Sequence, residues 1–102
     1  MGEPYTYGVW VTKPGQEEEF IAGWRELVEW TMANATGTGW ARLLRDADQP
    51  NRFVSIGPWE SCEDIEAWRA SPGFREGVAR LRPLLESFTP ANLDLCVELG
   101  VA

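Results

Sequence analysis

Residues 53–74, FVSIGPWESCEDIEAWRASPGF, constrain the fold more than any other stretch of this chain. An apolar run with aromatic and β-branched residues reads as a strand that ends at Trp59. Ser61, with Asp64 three residues on, makes a capping-box-like helix start with a shorter acid than usual. Ser71-Pro72 supplies a second start, because proline at the first helical position gives up an N–H that had no partner anyway. The corner therefore gathers two indoles, Trp59 and Trp68, and one phenyl ring, Phe74, around one strand. Those rings form either an ordinary core or the lining of a flat, aromatic-loving pocket. Aromatics at helical spacing are core more often than they are a cofactor box.

The rest of the chain supplies the frame. Tyr5–Thr12 reads as the first strand, broken by Lys13-Pro14-Gly15. Glu17, Glu18 and Glu19 favour a helix N-terminus, and that helix runs to about Ala35. Phe20, Ile21, Trp24, Leu27, Val28 and Thr31 share its inner face. Trp30 falls out of phase, on the outer flank beside Glu26 and Glu29, where contact with another chain would explain it. After Thr36–Gly39 comes a strand over Trp40–Arg45, a polar turn, and the strand Arg52–Gly57, so the two strands form a hairpin. Helices follow over Cys62–Ala70 and from Ser71 onward, the latter burying Phe74, Val78, Leu81 and Leu85. Pro83 kinks or restarts that helix near Arg82. Thr89-Pro90 then leads into alternating Leu93, Leu95, Val97 and Leu99 as the last strand. The order is βαββαβ. It predicts an α+β, ferredoxin-like antiparallel sheet with helices on one face, in one domain over residues 1–102.

A sheet with one wet face alternates apolar with polar residues. Strand one carries Tyr5, Tyr7, Val9 and Val11 on one side but Trp10 and Gly8 on the other. Strand three carries Phe53 and Trp59 against Val54 and Ile56, and strand two Trp40 and Leu44 against Ala41 and Leu43. Both faces are apolar, which predicts a homodimer with Trp10, Val54 and Ile56 at or near the sheet–sheet junction. Scattered exposed apolar residues are the plainer alternative.

Composition narrows the chemistry. The net charge is -7 and there is no basic run, so nucleic acid and membrane surfaces are not expected partners. The chain has no His, which removes Ser–His–Asp and Cys–His catalysis, His-ligated zinc and proximal-His haem. Cys62 and Cys96 form no CxxC pair and read as buried thiols in a reducing cytoplasm. Without Cys clusters or a Gly-rich phosphate loop, neither flavin nor metal is expected: cofactors, none. Gly2 followed by Thr6 weakly fits a myristoylation pattern, with no basic residues to support it.

The segments FVSIGPWES, IEAWRASPGF and LRPLLESF resemble the antibiotic biosynthesis monooxygenase family of the dimeric α+β barrel superfamily. The W-E-S and W-x-x-S-P-x-F spacings carry most of that resemblance, which spans nearly the whole chain. It implies a homodimer whose two sheets pack into a barrel, with a pocket between sheet and helices in each subunit. Characterised members oxidise polycyclic phenols or anthrones to quinones with O₂, without flavin or metal. Relatives bind and degrade haem, and many members have no known activity. Quinone-forming members place an Asn four residues before the strand-end Trp and a Tyr six after it. Here those positions are Ser55 and Ile65, so only Trp59 matches. In haem-degrading relatives the second-helix Trp corresponds to Trp68. Their iron-binding His corresponds to Val78, and their strand-one Asn to Tyr7.

Cofactor-free oxygenation needs a site that excludes water, orients a flat ring and stabilises an oxyanion or peroxide. Phe53, Ser55, Gly57 and Trp59 point the same way along strand three, and small Ser55 and Gly57 leave volume there. The candidate catalytic residues are Trp59 and Ser55. Trp68, Phe74, Tyr7 and Gly57 are the candidate substrate-binding residues for a small planar aromatic ligand. Arg52, Arg69 and Arg75 read more simply as surface ion-pair partners. Three readings stay open: a cofactor-independent monooxygenase, a non-catalytic ligand-binding dimer, and a haem-binding relative.

Overall fold

The computed structural model describes residues 3–101. Gly2, on which the lipidation pattern would act, lies outside the described residues. The chain runs β1 (Pro4–Thr12), α1 (Glu17–Asn34), β2 (Arg42–Arg45), β3 (Arg52–Pro58), α2 (Cys62–Ala70), α3 (Pro72–Leu81) and β4 (Leu85–Asp94), with a 3₁₀ turn at Arg82–Leu84. All strand pairings are antiparallel, in the order β2-β3-β1-β4. This is the ferredoxin-like α+β plan, with α2 and α3 together taking the place of its second helix.

Both predicted helix starts form as read. The Ser61 hydroxyl accepts from the Asp64 N–H at 3.1 Å, and the Ser71 hydroxyl from the Phe74 N–H at 3.3 Å. The Asp46–Asn51 turn is held by Asp46, whose carboxylate accepts from the backbone of Asp48 and Gln49 and from Arg52. Those bonds hold its pKa below the ordinary value, the backbone N–H groups contributing most. A lowered folded pKa adds stability that is complete above the unfolded value and is lost as pH falls through the folded one. The β2–β3 turn is therefore expected to loosen only in acid, below the ordinary Asp range. Amide exchange at Asp48 and Gln49 followed against pH checks this, and protection unchanged down to pH 2 contradicts it.

Strand four departs from the sequence reading. It spans Leu85–Asp94 rather than Leu93–Leu99, and begins as soon as the Pro83 turn ends. Pro90 sits within it, opposite Gly8. Proline is tolerated there because β4 is an edge strand with one side free of ladder bonds. The Leu93–Leu99 alternation runs past the sheet edge, leaving Val97 and Leu99 exposed.

The register sorts the two sheet faces. Trp10 pairs with Phe53 and Gly8 with Ser55, so these four residues share the face under the helices. Trp10, Phe20, Leu27, Phe53, Val78 and Leu81 form the core there. Trp10 is thus a core residue and not a junction residue, a correction to the sequence reading. On the other face Val9 pairs with Val54 and Tyr7 with Ile56, and no helix covers them. Trp40, Leu44 and Leu93 add exposed apolar surface.

Two further expectations change. Trp30 is half-buried, with its ring over Gly73 of α3, where a Cβ would collide with it. Gly73→Val is expected to cost about 1–3 kcal/mol by forcing the two helices apart. An unchanged melting temperature would remove that contact from the packing. Cys62 and Cys96 are both exposed, not buried, because α2 turns Cys62 outward and Cys96 lies beyond β4. Among the described residues no helix is long and apolar enough to cross a membrane.

Candidate functional site

Between the sheet and the helices lies a partly open cavity of about 70 Å³. Its floor is the helix-side face of β1 and β3, with Thr6, Gly8, Ser55 and Gly57. Its roof comes from α1, α2 and α3, through Trp24, Thr31, Trp68 and Phe74. The corner built by residues 53–74 is one end of this space. Trp59 and Trp68 lie 4.9 Å apart between ring centroids, and Trp68 and Phe74 4.4 Å apart. The rings pack on one another, so they close the cavity's end rather than face each other across an open slot.

Three indoles are tethered by three hydroxyls. Trp59 Nε1 donates to Thr6 Oγ1 at 3.1 Å. Trp68 Nε1 donates to Thr31 Oγ1 at 2.9 Å, and Thr31 in turn donates to the Leu27 carbonyl. Trp10 Nε1 donates to Ser55 Oγ at 2.9 Å. A half-buried polar N–H needs such a partner, and each bond also fixes a ring plane. Trp59 therefore serves as a wall, since its one donor is engaged. Thr6 and Thr31 were not among the sequence candidates. Hydroxyls are too common for the sequence to single out two that meet indoles 53 and 37 positions away.

Ser55 is different. It accepts from Trp10, and among the described residues its own proton has no acceptor. Accepting from Trp10 polarises that O–H and makes it a stronger donor. Gly8 is what allows this geometry. A Cβ there would stand 2.9 Å from Ser55 Oγ, 3.0 Å from Trp10 Nε1 and 3.1 Å from Phe88. Phe88 of β4 stacks on Trp10 at 3.8 Å and holds it from the other side.

Gly57 and Tyr7 both border the cavity. A Cβ on Gly57 would meet the Trp40 carbonyl at 2.7 Å, so its missing side chain also makes room for the chain entering β2. Tyr7 borders the cavity by position, but it alternates with Thr6 and Gly8 and pairs with Ile56 on the open face. Ile65 is fully buried, and Val78 lies in the core. A haem ligand at Val78 would have to sit among Leu27, Phe20 and Leu81.

The arginines also separate. Arg52 pairs with Asp46 at 3.2 Å, as a surface bridge. Arg69 instead borders the cavity, donating to Asn92 Oδ1 at 2.7 Å. Among the described residues no carboxylate lies within ion-pair distance of it. Partial burial lowers its pKa, but a guanidinium stays charged. No Asp or Glu among the described residues lines the cavity. Among the described residues, no group of three or more His, Cys, Asp or Glu is placed to hold a metal ion.

The sequence model for the antibiotic biosynthesis monooxygenases matches residues 8–80. The chain belongs to that family. The match takes in the cavity floor apart from Thr6, and the roofing residues of the three helices. Solved structures agree in fold. A point variant of SnoaB, a cofactor-independent oxygenase from Streptomyces nogalater, superposes with a TM-score of 0.88 at 22% identity, covering 99% of this chain and 100% of that one. A Bordetella bronchiseptica protein named for the same family gives 0.84 at 20%, covering 95% and 100%. One from Caulobacter crescentus gives 0.85 at 16%, covering 94% and 92%. No curated protein matches the sequence.

Proposed function

We propose that this family member is a cofactor-independent monooxygenase that oxidises a planar phenol- or anthrone-like compound with O₂. The observation that carries the reading is the Trp10–Ser55 hydrogen bond, which leaves the hydroxyl of a cavity-lining serine free to donate within a space walled by tethered indoles. Arg69 adds to the lining a cation with no carboxylate partner among the described residues. Both groups suit an anion forming on a ring oxygen. The family and the SnoaB fold support the same class of chemistry.

The reaction balances without a further reductant. In anthrone the ring CH₂ opposite the carbonyl, and in a naphthol the phenol O–H, loses a proton to water, and the ring carbon opposite the oxygen, now carbanion-like, passes one electron to O₂. The radical pair joins as a peroxide anion, which takes a proton back and then loses water to leave a quinone carbonyl. One oxygen atom ends in the product and the other in water. Among the described residues no carboxylate lines the cavity, so water takes the proton, and Ser55 and Arg69 stabilise the anion that it leaves. Turnover is expected to rise with pH along each substrate's own ionisation. The test is O₂ uptake with anthrone and 1-naphthol across a pH series. One common pKa for both substrates would instead indicate a protein base. A non-catalytic ligand carrier is the second reading, favoured by the small cavity. Binding of anthrone without O₂ uptake would establish that reading in place of the first.

The proposed working unit is a homodimer. The open sheet face carries Tyr7, Val9, Val54 and Ile56 with no helix over them, and a second copy of the same face would cover it. The cytoplasm is its proposed location.

A further inference from the structure

A cavity of about 70 Å³ is far below the roughly 300 Å³ at which ligand pockets begin. The missing space lies on the other side of Trp24. There an open groove of about 550 Å³ runs between α1 and the β2–β3 edge, walled by Ile21, Leu43 and Phe53. Trp24 and Val28 are the two residues common to both linings. They stand one turn apart on α1, so a single patch of helix surface forms the partition. Trp10, Trp59 and Trp68 are tethered through their indole N–H groups. Trp24 is not: it is half-buried, and among the described residues its Nε1 has no partner. It packs against the core on one side, so apolar contact alone holds its ring.

The mouth of the groove carries Glu18, Glu29, Arg25 and Arg45. Arg45 is paired with Glu18 at 3.1 Å and lies over the Phe53 ring at 5.0 Å. Two charges of each sign leave no net attraction for an anion. A phosphorylated or multiply charged ligand would meet as many carboxylates as guanidinium groups on entry, with no net gain for its charge.

We propose that the α1–β2 groove is the outer half of the ligand site and that Trp24 is a movable partition joining it to the Ser55 cavity. The ligand is a neutral planar polycyclic phenol or ketone that enters through the groove and reaches Ser55 once Trp24 swings aside. This rests on the function proposed above, and extends it to the route and the charge of the substrate.

The test uses stopped-flow fluorescence with anthrone on the wild-type protein, Trp24→Ala and Leu43→Trp. Circular dichroism and thermal melts confirm that each is folded. Trp24→Ala removes the partition, and association is expected to be at least tenfold faster. Leu43→Trp fills the groove without touching the inner cavity, and affinity is expected to fall at least tenfold. Wild-type binding that neither substitution alters overturns the partition and leaves the proposed function standing. Binding by Trp24→Ala but not by the wild type shows a fixed wall, and overturns its mobility. No binding by either removes the aromatic-ligand reading and the partition together. Should Trp24→Ala fail to fold, Leu43→Trp decides alone: unchanged affinity there rejects the groove as the route.

Discussion

Val54→Asp is expected to convert the protein to a folded monomer. Val54 sits near the middle of the open sheet face, paired with Val9 on one side and Leu44 on the other. Exposed to water in a lone subunit, an Asp there costs little. Pressed against a second apolar sheet, it must lose its hydration with no free partner. The nearest cations on that face, Arg52 two positions along β3 and Arg42 diagonal on β2, are already engaged, Arg52 with Asp46 and Arg42 over the Trp40 ring. Burying an unpaired carboxylate costs several kcal/mol even after relaxation. A penalty of about 3 kcal/mol weakens association more than 100-fold. Sedimentation at micromolar concentration reads the result, and circular dichroism checks that the sheet survives. A wild-type protein that already sediments as a monomer ends the dimer proposal. So does a variant that remains a dimer.

The faces of single strands were legible in the sequence, but the pairing between strands was not. Alternation alone separates Trp10 and Gly8 from Tyr7 and Val9, and separates Phe53 from Val54. Which side of β1 lies with which side of β3 depends on a register between segments some 45 residues apart. Loop closure and core packing set that register, not local propensity. Joining Trp10 to Val54 and Ile56 was therefore a coin with two sides, and the structure pairs Trp10 with Phe53 instead. Strand four failed for a related reason. Pro90 is a strong breaker locally, and only knowledge that β4 lies at the edge makes it acceptable. Caps fared better, because the Ser61 and Ser71 bonds close within three residues.

The candidate site divides along the same line. Trp59, Trp68, Phe74 and Ser55 are brought together, since the strand–helix corner fixes them within one short stretch. Helical spacing put Trp24 and Thr31 on the inner face of α1, but that they meet Thr6 and Gly8 of β1 at this cavity depends on long-range packing that no local pattern announces. Gly57 shows that one small residue serves two neighbours. Smallness signals room, and here the chain entering β2 takes part of it beside the cavity. Filling the cavity by Gly57→Leu would therefore also push on Trp40, and Leu43→Trp is the cleaner obstruction.

Ser55→Ala is expected to lower kcat for O₂-dependent turnover by roughly 100-fold, the usual loss when one donor to a developing oxyanion is removed. KM should change little, because a ring held by apolar walls does not depend on that bond in the ground state. The substitution is mild in packing terms, since it removes one oxygen beside Gly8. It does leave the Trp10 N–H without its acceptor, so a modest stability loss of about 1–3 kcal/mol accompanies it. Trp10→Phe separates the two effects. It keeps the Ser55 hydroxyl but removes the indole that polarises it, and kcat should fall less, by about tenfold. If Ser55 were only a filler, Ser55→Ala would retain wild-type kcat after correction for the folded fraction. If Trp10 mattered through packing alone, Trp10→Phe would lower stability and leave kcat per folded molecule unchanged. Thr6→Val provides the contrast on the same floor. It unties Trp59 without removing a donor that faces the ligand, so it should disturb KM more than kcat. A larger kcat loss in Thr6→Val than in Ser55→Ala would shift the donor role from Ser55 to the Trp59 side of the cavity.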